Sequence, residues 1–150
     1  MSPRKKSRSR KKKKKSSKGK IIGIILLLMI IGFSVWTYPS EYTTEYSIST
    51  ITQETKTFNF NVKMFHSVVI IDIQYNGTGT LLEISIVDAT GVYIKNYTDP
   101  IFNGEYSYHI IFKNATSGDW KIIVKATLAD VDISITVKTM GGLWPLSLIH

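Results

Sequence analysis

The chain has 150 residues, enough for one domain of ordinary size, with no cysteine, which excludes disulfides, thiolate metal sites and cysteine nucleophiles. Its charge is segregated: 12 of the 19 Lys and Arg residues lie in positions 1–20 with none of the 11 acidic ones. The other 130 residues carry seven basic against eleven acidic side chains, a net of −4, so the overall +8 describes neither part. Ile outnumbers Leu by 22 to 9, the composition expected of an AT-rich prokaryotic or archaeal genome.

Residues 1–20 read as a disordered basic cytoplasmic tail. No apolar residue interrupts positions 4–20, so the segment has nothing to fold around. Lys11, Lys12, Lys13, Lys14 and Lys15 form its densest run and point to anionic lipid headgroups, each charge contributing on the order of 1 kcal/mol. Nucleic acid is the weaker partner for this run, because no interleaved aromatics or shaped domain accompany the charge. Ser7, Ser9, Ser16 and Ser17 stand among the cations, where phosphorylation would subtract charge and weaken lipid attachment.

Residues 21–38 read as a transmembrane helix. Twenty uncharged residues separate Lys20 from Glu41, and a helix of that length covers roughly 30 Å, the thickness of a bilayer's hydrocarbon core. Residues 21–33 are apolar on every face, and in lipid the backbone satisfies its hydrogen bonds only as a helix. Trp36 and Tyr38 close the run as interfacial aromatics, and Pro39 ends it. The basic flank orients the N-terminus to the cytoplasm and the rest of the chain to the extracytoplasmic side of the cell membrane. No Ala-x-Ala site follows, so a retained signal anchor is expected rather than a cleaved signal.

Residues 39–55, rich in Ser and Thr, read as either a stalk or an edge strand: Tyr42, Thr44, Tyr46 and Ile48 alternate with polar neighbours. Residues 56–140 alternate with period two almost throughout. Examples are Phe58, Phe60 and Val62; Leu82, Ile84 and Ile86; Tyr106, Tyr108, Ile110 and Phe112; Trp120, Ile122 and Val124; and Val131, Ile133, Ile135 and Val137. Val68–Ile73 is apolar on both faces and predicts a central strand. Turn residues stand between the runs, at 76–79, 90–91, 99–100, 103–104, 117–119 and 129–130. The pattern predicts an all-β fold, an antiparallel two-sheet sandwich of seven or eight strands behind a single transmembrane helix. Residues 141–150 form an apolar C-terminal tail that packs back, joins a neighbour's sheet or touches the membrane.

Leu82-Glu83-Ile84-Ser85-Ile86-Val87-Asp88-Ala89-Thr90-Gly91 leads a strand into an Asp-x-x-Gly turn, and Ser117-Gly118-Asp119-Trp120-Lys121-Ile122-Ile123-Val124 opens another strand. In this order the two resemble the jelly-roll pre-peptidase C-terminal and P-type domains of secreted peptidases, over about residues 56–139. The resemblance implies an accessory module without catalytic residues.

Chemistry-bearing constellations are sparse. His66, His109 and His150 show no metal-ligand spacing, and His109 falls on the polar register of its strand. Asp72, Asp88, Asp99, Asp119, Asp130 and Asp132 make structural calcium the one cofactor to consider, although no Asp-x-Asp-x-Asp loop is present. There is no Gly-x-Ser-x-Gly elbow and no phosphate-cradling loop, so the chain reads as not an enzyme. Asn76, Asn96 and Asn114 each open an Asn-x-Thr sequon and are the candidate glycosylation sites of a surface glycoprotein.

The leading expectation is a membrane-anchored extracytoplasmic module for binding, adhesion or assembly at the cell surface. Its partners would be the anionic bilayer and a protein or glycan outside the cell, with self-association left open. The alternative is a structural filament subunit resembling an archaeal type IV pilin, processed after Gly19. Lys18-Gly19 before the apolar run fits that pattern, whereas Lys20 and Ile24 fit it poorly.

Overall fold

The computed structural model describes residues 17–101 and 103–141. Two compact units divide at Phe33/Ser34. In the first, helix α1 (Ser17–Trp36) begins, and every residue from Gly19 to Trp36 is exposed. Ile and Leu clothe it on all sides, leaving no polar face to distinguish water from core.

The second unit holds β1 (Ser40–Val62), β2 (Val68–Val87), β3 (Tyr93–Asp99), β4 (Gly104–Lys113) and β5 (Gly118–Met140), all antiparallel. Strand β5 lies between β1 and β2 along its whole length. The far edge of β2 is shared: residues Val68–Gly77 pair with β4, and Leu82–Val87 pair with β3. Three strands of 20 or more residues are too long for one flat layer, and all three bend at the same level. The bend falls at Thr50–Gln53 of β1, where the register slips, at Gly77–Leu81 of β2, and at Leu128 of β5, whose φ is 47°.

Folding at that line turns five strands into eight segments and two four-stranded layers. One layer reads 40–50, 131–140, 68–77, 104–113; the other reads 53–62, 118–127, 81–87, 93–99. This is jelly-roll connectivity. The turn residues at 76–79 and 129–130, expected to end strands, instead bend them. A Cβ on Gly77 would stand 2.2 Å from the Asp130 carbonyl oxygen, and one on Gly79 would stand 2.9 Å from Ala129. Glycine there lets two strands cross the fold line in close contact.

The core lies between the layers. Side chains of the inward register, among them Ile48, Val69, Ile71, Ile73, Ile84, Ile122, Val124, Ile135 and Val137, are fully buried. Aromatic rings join the layers: Phe112 meets Trp120 edge-on at 5.6 Å, and Tyr97 lies 4.4 Å from Tyr108. Tyr42 and Tyr46 of the edge strand pack inward, and their hydroxyls donate to the carbonyls of Asn61 and Thr57 in the opposite layer. Tyr75 stacks on Tyr106 at 5.0 Å, and burial with the nearby Asp99 carboxylate pushes its hydroxyl up to about 12.

The two halves of the Asp-x-x-Gly and Ser-Gly-x-Trp pattern meet in space. Asp88 Oδ1 accepts hydrogen bonds from the Thr90 amide, the Thr90 hydroxyl and the Val92 amide, closing an Asx-type turn that holds the carboxyl below its usual range. Ala89 of that turn stands where a Cβ on Gly118 (φ 126°) would come within 2.8 Å of it. Trp120 follows, buried, with its indole N–H donating to the Thr116 carbonyl at 2.8 Å.

Candidate functional site

One end of the sandwich, its base, carries the starts of β1, β2, β3 and β5 and the ends of β1, β2, β4 and β5, as the terminal pairs Ser40–Thr139, Val62–Gly118 and Val68–Lys113 require. The segment that follows the first unit, Ser34–Tyr38, belongs to this end. The Thr37 hydroxyl donates to the Ser34 carbonyl at 3.4 Å, closing the last helical turn. The Thr37 carbonyl accepts from the Gly141 amide at 3.2 Å, where a Cβ on Gly141 would overlap the Thr37 side chain at 2.6 Å.

His66 ties the base together. It is buried in the turn between β1 and β2, with Nε2 at 3.2 Å from the Trp36 carbonyl and Nδ1 at 2.8 Å from Thr139 Oγ1. A carbonyl only accepts, so Nε2 carries the proton; Nδ1 then accepts from the Thr139 hydroxyl, and the neutral ring satisfies both bonds. Burial lowers the pKa below that of an ordinary histidine, helped by the Lys63 charge and opposed by the Trp36 carbonyl. The spacing of histidines in the chain gave no sign of this role. Its partners lie 30 and 73 positions away, and no local motif marks them.

Beside His66 the rim of the base carries a cluster of apolar side chains. Val35, Trp36, Tyr38, Met64, Phe65 and Val92 are exposed, and the Trp36 and Phe65 rings stack at 5.6 Å. Trp36 and Tyr38, the expected interfacial aromatics, are therefore both at this rim. The lysine run 11–15 and the apolar tail 143–149 lie outside the described residues.

The outer face of the first layer is polar instead. Cross-strand rows set Glu45, Ser134, Gln74 and Ser107 side by side, then Ser47, Asp132, Asn76 and Glu105. All of these except Ser107 line a shallow trough of about 500 Å³. The Ser47 hydroxyl donates to Asp132 at 2.5 Å. The next row along this face holds His109, whose Nδ1 lies 2.5 Å from Asp72 on the exposed face.

The six aspartates do not converge. Asp72 pairs with His109, Asp88 closes its turn, Asp99 lies by Tyr75, Asp119 accepts from Asn61 at 2.7 Å, and Asp130 and Asp132 point outward along β5. Among the described residues no three His, Asp or Glu side chains gather as a metal site. The three sequon asparagines are all exposed and far apart: Asn76 beside the trough, Asn96 on edge strand β3, and Asn114 with φ 60° in the β4–β5 turn at the base.

No protein-family model and no curated protein matches the sequence. Among solved structures the chain is similar to dimeric latent PorU from Porphyromonas gingivalis, at 12% identity and TM-score 0.49, covering 69% of this chain and 13% of that one. It is also similar to a protein of the pilus-forming Bacillus endospore appendages, at 9% identity and TM-score 0.44, covering 70% and 88%. The CBM36-1 domain of a multidomain xylanase from the hindgut metagenome of Trinervitermes trinervoides gives 9% identity and TM-score 0.42, covering 71% and 100%. At this level of likeness no activity, ligand or partner carries over from any of them.

Proposed function

We propose that the chain is a membrane-anchored, extracytoplasmic jelly-roll module that binds or assembles at the cell surface and performs no catalytic step of its own. The observation that carries this reading is the 18-residue span Gly19–Trp36, with mean hydropathy 2.2 and no buried residue, joined by three residues to the first strand of the sandwich. An apolar helix whose residues are all exposed is most stable in hydrocarbon. The eleven cations before it, with Lys20 at its start, resist translocation, which puts the sandwich on the far side. The trough then supplies the binding surface: its hydroxyl, amide and carboxylate groups suit the hydroxyls of a glycan or the polar surface of a protein. The meeting of the Asp88 turn with Gly118 and Trp120 supports a place among the pre-peptidase C-terminal and P-type accessory domains.

Alkaline carbonate extraction of native membranes, followed by protease treatment of intact cells, tests the reading. The full chain stays in the membrane pellet, and external protease reaches the sandwich but not the basic tail. Release of uncleaved chain into the carbonate supernatant would overturn it. A mature N-terminus at Lys20 would instead mark the pilin-type processing described above.

A further inference from the structure

We propose that the β1–β2 turn, with Met64 and Phe65 at its apex, is a second membrane-contact element that seats the base of the sandwich in the headgroup layer of an anionic bilayer. The inference rests on the anchored reading of α1 and adds a separate, testable contact.

The turn is built to present apolar side chains outward. The His66 amide donates to the Lys63 carbonyl at 3.0 Å, closing a four-residue turn. Its third residue is Phe65 at φ 71°, a conformation ordinarily left to Gly or Asn. A water-facing turn would carry one of those. Here Met64 is 67% exposed and Phe65 48%, beside Val35, Trp36 and Tyr38. The next residue, His66, is buried and bonded on both ring nitrogens, so the apex is held on a fixed base.

Depth follows from one distance. Trp36 is the last residue of the apolar span, the level at which tryptophan prefers the membrane–water interface. The Phe65 ring lies 5.6 Å from the Trp36 ring, and each interfacial layer is roughly 5–8 Å thick. If Trp36 stands at headgroup level, the Phe65 ring lies within about one layer thickness of it. Charge permits this locally: although Asp88 and Asp119 lie elsewhere on the base, segments 34–38 and 63–67 contain no acidic residue, and Lys63 stands at the foot of the turn, where its ammonium can reach lipid phosphate. The opposite end of the sandwich, where Ile51 is 89% exposed in the β1 bend, is about 30 Å away along the strands and serves as the internal control.

The absence of native cysteine makes single-cysteine labelling clean. Full-length Met64→Cys, Ile51→Cys and Leu28→Cys, each carrying an environment-sensitive fluorophore, are reconstituted in vesicles of phosphatidylcholine and phosphatidylglycerol. Quenchers are headgroup nitroxide lipids, acyl-chain nitroxide lipids and aqueous iodide. The expected result is strong quenching at 64 by headgroup nitroxide, at 28 by acyl-chain nitroxide, and at 51 by iodide alone. A label at 64 that behaves like the one at 51, while 28 is quenched from the acyl chains, overturns the proposal and leaves the anchor standing. Shielding of 64 from both lipid and iodide marks a protein occupant and also overturns it. Failure at 28 defeats the anchor, and this inference falls with it. Adding Phe65→Asn to the 64-labelled chain, a change the backbone there accommodates, should lower headgroup quenching without lowering the melting temperature.

Discussion

His66 Nε2 donates to the carbonyl of Trp36 at 3.2 Å, so a buried imidazole in the β1–β2 turn holds the last helical residue of the preceding segment. Because burial lowers the folded-state pKa of His66, the unfolded chain takes up its proton first as pH falls. The stabilisation is therefore complete above the ordinary histidine value of about 6.5 and is lost as pH drops from there through the lower folded value. Thermal melts of the full chain in detergent micelles should show a fall in Tm below that point. His66→Gln should flatten this part of the profile, and His66→Ala should cost about 1–3 kcal/mol at neutral pH by leaving buried partners unbonded.

Gly77→Ala should destabilise the sandwich by about 3 kcal/mol, because the added methyl overlaps the Asp130 backbone rather than a side chain that can move. Gly91→Ala, with open space around it and only its φ of 83° to oppose it, should cost less, about 1 kcal/mol. Urea unfolding of both variants in the same detergent checks the order, and equal midpoints would contradict the bend geometry.

Trp120→Ala should cost about 3–5 kcal/mol, since the indole is buried between Phe60 at 6.0 Å and Phe112 at 5.6 Å. Trp120→Phe should recover much of that loss but forgo the hydrogen bond to the Thr116 carbonyl. Equilibrium unfolding followed by tyrosine fluorescence gives the comparison.

In a host with N-glycosylation machinery, Asn114 should carry sugar, because it is exposed in the β4–β5 turn at φ 60°. Intact-mass measurement of Asn114→Gln should show the loss of one glycan. Asn76 lies in a central strand flanked by Asp132 and Glu105, so a glycan there would cover the trough and block a trough-bound ligand.

Alternation alone was enough to read which side chains face inward: Phe58, Phe60 and Val62, or Val131 through Val137, are buried or half-buried as their period requires. The fusion of segments into long bent strands was not readable. Asn76-Gly77-Thr78-Gly79 carries the local chemistry of a hairpin turn, and only the approach of Ala129 and Asp130 from β5 decides that β2 continues past it. The trough was equally hidden, because Glu45, Gln74, Glu105 and Asp132 become neighbours through register across four strands. Trp36 and Tyr38 were legible at the end of an apolar run, whereas their neighbours Met64 and Phe65 looked like an ordinary connection.

The shared fold line has a mechanical consequence. A partner pulling at the bend, near Ile51 and Leu128, would load β1 and β5 along their length, stretching many ladder hydrogen bonds at once in shear. A pull between Ser40 and Met140 would instead open that ladder one pair at a time, starting from Thr139. Tension is therefore best carried between the base and the tip, and the weak direction is the one that draws Ser40 and Met140 apart at the base.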